Sequence, residues 1–264
     1  MTGAGSQQQD SGGVPWSGRE LSGTGFDGDL GEADPDLLVA LDDSRDETAL
    51  MSAVARARLL VPIVAVPVPD APSTPASESA PTAESAPSAE SAAGKATDLA
   101  VVTLTSTGGQ RAFPVFSSVA TLRAWDATAR PSPVTSSRAA QGAVAQRCDV
   151  MLLDCGSPRE RVLRPSMVWD LAQQRDWLPA HADPFVAQAL LRATADEQDV
   201  VGCTGEGDQG GEGILCVVLS LRGGLDAVQV QALATRIGER IATDGEARAR
   251  IDGLSFTIRS SEPA

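Results

Sequence analysis

Asp98-Leu-Ala-Val-Val-Thr-Leu-Thr-Ser-Thr-Gly-Gly-Gln-Arg-Ala-Phe-Pro-Val-Phe116 places two β-prone runs on either side of Thr107-Gly108-Gly109. Val, Thr and Phe suit a pleated, half-buried surface, and glycine supplies the positive φ of a tight connection, so the stretch is expected to form a strand hairpin. Downstream, Ser118 can cap a helix that carries Val119, Leu122 and Trp125 on one side. Arg130-Pro-Ser-Pro-Val134 is an extended segment, because proline disfavours helix in the residue before it. Ser136 or Ser137 then opens an alanine-rich helix through Gln146, small enough on its inner face to lie close to a sheet. Asp149-Val-Met-Leu-Leu-Asp154 is an apolar strand with polar ends. Strands and helices in this order predict a mixed sheet with helices packed on it.

Toward the N-terminus, Arg58-Leu-Leu-Val-Pro-Ile-Val-Ala-Val66 is a buried strand, and Pro62 requires an open side or a bulge there. Two short helices precede it. The first is capped by Asp34-Pro35 and holds Leu37, Leu38 and Leu41; the second is assigned Asp43-Ser44 as its cap and holds Leu50, Met51 and Val54. Residues 1–33 are a Gly-, Ser- and Gln-rich acidic tail, and residues 69–97 repeat Ser-Glu-Ser-Ala-Pro-like units as a low-complexity linker. Neither buries enough apolar area to offset chain entropy, so both are expected to be disordered.

Toward the C-terminus, a short strand at 161–163 and a helix from Ser166 with Met167 and Leu171 lead into a connection to residue 183. Asp183-Pro184 starts another helix, followed by strands near 199–203 and 213–221. Val230, Leu233, Ile237 and Ile241 recur at helical spacing over 226–243, and a last strand spans 254–259. The whole predicts an α+β chain of two small domains, 34–165 and 184–264, joined by 166–183: a mixed sheet with helices, then a helix-on-sheet sandwich.

The formal charge of -14 repels polyanions, which argues against nucleic acid and anionic membrane as partners. Lys95 is the only lysine among 21 basic residues, a pattern of GC-rich codon usage. The N-terminus lacks the basic and apolar regions of a signal peptide, and the longest apolar run, 59–68, is interrupted by prolines and too short to span a bilayer. A cytoplasmic location is therefore expected, with Cys148, Cys155, Cys203 and Cys216 as free thiols.

Phe113-Pro-Val-Phe-Ser-Ser118, Leu122-Arg-Ala-Trp125, Ala129-Arg-Pro-Ser-Pro-Val134 and Leu152-Leu-Asp154 together resemble the bacterial SseB family, named for enhanced serine sensitivity. The segment from about 184 resembles the companion C-terminal domain. The resemblance implies a cytoplasmic α+β protein with no established enzymatic mechanism, so it carries no catalytic residues to this chain.

The residues themselves point the same way. His181 stands beside Asp183 without a Ser or Cys motif, and a loop histidine is the simpler reading. Cys155 follows a strand and precedes Arg159, Arg161 and Arg164, whose charge would lower a nearby thiol pKa; a sulfur-transfer or redox enzyme is the alternative this allows. The four cysteines form no CxxC half-site, so no metal is expected, nor any cofactor. Gly205-Glu-Gly-Asp-Gln-Gly-Gly-Glu-Gly213 is acidic and lacks the lysine of a phosphate loop, which leaves a hairpin loop. The expected function is a non-enzymatic protein-binding or regulatory module, or less directly a secretion-associated adaptor. Its candidate contact surface comprises Pro114, Phe116 and Trp125 with Arg159, Arg161 and Arg164, and another protein is the expected partner.

Overall fold

A computed structural model describes residues 25–43, 46–67, 97–207 and 213–260. The tail to residue 24, Ser44 and nearly all of the Ser-Glu-Ala-Pro segment lie outside the described residues. The chain is a mixed α+β fold, and each element follows from local chemistry.

Helix α1 (Pro35–Asp42) starts where Asp34 accepts from Asp36 N and Leu37 N, and it buries Leu37 and Leu41. Helix α2 (Glu47–Arg56) is capped by Asp46, whose carboxylate accepts from Ala49 N at 2.8 Å, so the cap is Asp46 rather than Asp43, and the expected cap at Ser44 lies outside the described residues. Strand β1 (Arg58–Pro67) follows directly and pairs antiparallel with β2 (Thr97–Val101).

The opening stretch divides where the sequence reads as continuous. β2 joins β1, the chain leaves the ladder at Val102 and Thr103, and only β3 (Leu104–Thr105) makes the hairpin with β4 (Arg111–Val115). Gly109, at φ 85°, closes that turn by donating to Ser106 O. One run thus serves two sheets, which β1 also bridges through paired hydrogen bonds between Leu60 and Phe116.

Helix α3 (Val119–Trp125) has a capping box formed by Ser118 and Thr121. Strand β5 (Arg130–Thr135) pairs with β1, with Pro131 opposite Pro62. Helix α4 (Ser136–Ala145) is capped by Thr135 rather than by either serine, because Ser136 is buried and donates to Ala57 O and Val54 O. β6 (Val150–Leu153) lies parallel to β4, and β7 (Arg161–Leu163) antiparallel to β6, giving a mixed sheet in the order β3-β4-β6-β7. Its main core, with Phe113, Met151, Leu153 and Leu163, packs against α4 and α5 (Pro165–Ala172). Gly142 keeps α4 close, since a Cβ there would stand 3.2 Å from the Phe113 ring.

Helix α6 (Pro184–Thr194) is capped by Asp183. β8 (Val200–Gly207) and β9 (Ile214–Leu221) form an antiparallel pair, and α7 (Ala227–Thr243) and the short α8 (Gly245–Arg250) lead to β10 (Gly253–Ser260), parallel to β9. Helix α8 is absent from the sequence expectation because Gly245-Glu-Ala-Arg-Ala-Arg250 has no apolar stripe; Asp244 caps it. Leu215, Val217 and Leu219 meet Leu233, Ile237 and Ile241 of α7 in a second core.

Candidate functional site

Because β4 and β6 are parallel, their C-terminal ends open at the same edge of the fold, the usual place for a site on such strands. β4 runs on into Phe116, Ser117 and the cap of α3, while β6 turns sharply at Asp154, which adopts φ 53°. The buried Asp154 carboxylate ties the two ends together by accepting from Ser117 N and Ser117 Oγ, each at 2.7 Å. Its own N–H donates to Val115 O. A carboxylate serves here because it satisfies a backbone donor and a hydroxyl that burial would otherwise leave unpaired.

Over this joint lies a small third core of Leu60, Phe116, Leu122 and Ala129, covered by α3. Trp125, on the last turn of α3, packs its ring 5.3 Å from that of Phe116 and remains partly exposed. Gly156, at φ 76°, passes beneath it, with Trp125 Cδ1 3.9 Å from where a Cβ would stand. The N-terminus of α3 is held from outside by Gly31, whose carbonyl accepts from Val119 N at 2.8 Å. The result is a shelf: an indole on a rigid apolar base, flanked by Cys155, Gly156 and Glu160.

Cys155 does not have the surroundings a reactive thiol needs. Burial pushes the thiol up, and the Glu160 carboxylate pushes it further, whereas a nucleophilic cysteine requires a lowered pKa. The three arginines that follow it in sequence are engaged elsewhere. Arg159 makes a bidentate pair with Asp42 at 2.7 and 3.0 Å, and Arg161 donates to Leu41 O, so both hold the C-terminus of α1. Arg164 turns the other way. It pairs with Glu47 of α2 and with Asp252 before β10, and it lies over the Trp177 ring.

Arg164 stands at a seam between α2, α5, α6 and α8. Helix α5 has no cap of its own; Asp252 supplies one, accepting from Ser166 N at 2.8 Å and Ser166 Oγ at 2.7 Å, and Trp177 Nε1 donates to the same hydroxyl. A second node joins Arg250 to Asp183 and Glu246, and Arg175 to Glu246 and Asp170. His181 is exposed at the rim of this seam, and the Asp183 carboxylate is taken by Phe185 N and Arg250 instead of orienting the imidazole.

The candidate contact residues therefore separate. Pro114 and Phe116 are buried, and Phe116 supports the shelf from beneath; of these three residues Trp125 alone is partly exposed. Arg159, Arg161 and Arg164 do not form one basic patch. Sequence reasoning missed Ser117, Asp154 and Glu160 as the frame of the shelf, although Asp154 marks the strand end where a sharp turn is needed. Among the described residues, no group of three or more His, Cys, Asp or Glu side chains is placed to hold a metal ion, and no helix is long and apolar enough to cross a membrane.

No curated protein and no solved structure shows significant similarity to the chain. The family profile of the SseB protein N-terminal domain matches residues 36–170, just over half of the chain. The matched span runs from α1 through α5 and so includes Phe116, Trp125, Asp154 and Cys155. With half its length under that profile, this chain belongs to the SseB family.

Proposed function

We propose that this protein is a non-enzymatic, cytoplasmic protein-binding or regulatory module, with segments 34–165 and 184–264 as its two domains and the Trp125 shelf as its contact surface. One observation carries the reading: Trp125 is partly exposed on a rigid base of Phe116 and Gly156, at the shared end of the two parallel strands. Aromatic side chains fixed in this way dominate binding energy at protein interfaces, because little rotamer freedom is lost on contact. The raised Cys155 thiol fits a packing role and leaves the shelf to shape and apolar contact.

The test is affinity capture of the cross-linked complex from the producing cell with the wild-type chain and with Trp125→Ala. A single associated protein recovered in near-equal amount with the wild type, and reduced roughly tenfold or more by the substitution, supports the reading; loss of one anchor of about 2 kcal/mol gives at least that factor. Equal recovery from both chains, at unchanged melting temperature, would exclude the shelf.

A further inference from the structure

Beyond shape and apolar contact, the shelf carries a charge. Glu160 is exposed, and its Oε2 accepts from Gly156 N at 2.6 Å. Because a Cβ on Gly156 would stand 3.9 Å from Trp125 Cδ1, that oxygen is at most about 9 Å from the indole. Arg159 and Arg161 flank Glu160 in sequence, yet neither neutralises it. Arg159 is drawn to Asp42 and Arg161 to Leu41 O, and what Arg161 gives to residue 160 goes to the backbone carbonyl. Among the described residues the Glu160 carboxylate enters no ion pair. A carboxylate can accept about four hydrogen bonds, so capacity for a further donor remains beside Gly156 N.

The indole is open to the same chemistry. Elsewhere in the molecule Arg164 lies over the Trp177 ring, and Arg192 and Arg250 lie over that of Phe185. Among the described residues no cation lies over Trp125, whose ring contact is with Phe116. Arg123, two positions back on α3, stands on the other side of that helix.

We infer that the partner presents an arginine to this shelf, its guanidinium lying against the Trp125 indole and donating to the Glu160 carboxylate. The inference rests on the proposed function, in which the shelf is the surface that meets another protein. Arginine fits better than lysine, because a planar guanidinium can lie flat on a ring while its edge N–H groups reach a carboxylate, whereas an ammonium is a compact, strongly hydrated point charge. The surroundings extend the preference to a basic segment. On its other side Glu160 borders a recess of about 260 Å³ lined also by Asp43, Asp46, Glu47 and Arg161. That lining sets four carboxylates against one guanidinium, and the net charge of -14 acts in the same direction. Residues next to the arginine in the partner meet this field, which favours further positive charge and repels acidic segments.

Selection of a random peptide library displayed on phage, against the immobilised full-length chain, tests the inference without knowledge of the partner. The recovered peptides should share an arginine accompanied by at least one more basic residue. Titrated by fluorescence anisotropy, such a peptide should lose about fivefold or more in affinity on Trp125→Ala, on Glu160→Gln and on replacement of its arginine by lysine. Glu160→Gln keeps an oxygen acceptor for Gly156 N, so melting temperature should hold and the loss reports the missing charge. Peptides that need Trp125 but carry no arginine, or that bind Glu160→Gln as tightly as the wild type, overturn the inference and leave the shelf as a contact surface. Peptides indifferent to Trp125→Ala, or a library from which nothing is enriched, overturn both.

Discussion

At Trp125 an indole lies partly open on an apolar base, whereas at Arg164 a guanidinium is enclosed by two carboxylates and a second indole. The two regions also differ in what their polar groups do. Under the shelf, Asp154 binds backbone and hydroxyl donors of one neighbouring turn, so it sets a local shape. In the seam, Arg164 and Asp252 join elements far apart in the chain and hold segments together. On the proposed function, surface association and internal joining fall to different residues, although Cys155 and Arg164 stand only a short stretch apart in sequence.

Breaking the seam should have the largest effect. Arg164→Met leaves Glu47 and Asp252 facing each other without their cation, and the arginine side chain is only 13% exposed. Removing one partner of an enclosed pair costs about 3–5 kcal/mol, so urea denaturation should show a loss in that range. Asp154→Ala should cost less, about 1–3 kcal/mol, because it strands the buried Ser117 N–H. Its loss would also loosen the shelf, which hydrogen exchange at Ser117 and Ser118 should report. Arg159→Ala should leave the urea midpoint nearly unchanged, since its pair with Asp42 is open to solvent on both sides.

This ordering was not legible in the sequence, where Arg159, Arg161 and Arg164 form one basic run. Spacing along the chain says which residues are near in sequence, and β7 sends alternate side chains to opposite partners. The caps show the same limit. Ser118 is legible as the cap of the helix that follows it, and Asp183 and Asp226, which the sequence places at the first residue of their helices, are the caps one residue before them. The cap of α5 is Asp252, 86 residues downstream, and no local pattern reveals it. Apolar periodicity found the cores of α5 and α7, because a helix face is a local property. It missed the division of residues 98–105 between two sheets, because each half is strand-like and only tertiary pairing chooses its neighbour.

The smallest expected effect is on pH dependence. Hydrogen bonding from Arg250, with Arg175, holds the Glu246 carboxyl below the usual carboxylate range. A carboxyl depressed in the folded state stabilises it above its unfolded pKa of about 4.3, and that contribution fades as pH falls through the folded value. Asp170 acts in the opposite sense. Burial pushes it up, so its contribution is present below its unfolded value of about 3.9 and fades as pH rises through the folded one. Melting temperature measured on lowering the pH from neutral should therefore fall less steeply in Glu246→Gln than in the wild type.

On the proposed function, association belongs to the shelf and joining to the seam. Photo-cross-linking tests both at once, with a photoreactive residue in place of Ala124 on α3 in one chain and of His181 at the seam in another, each exposed and each expressed in the producing cell. A discrete heterologous adduct is expected from position 124 and none from position 181. An adduct from 181 with none from 124 would contradict it.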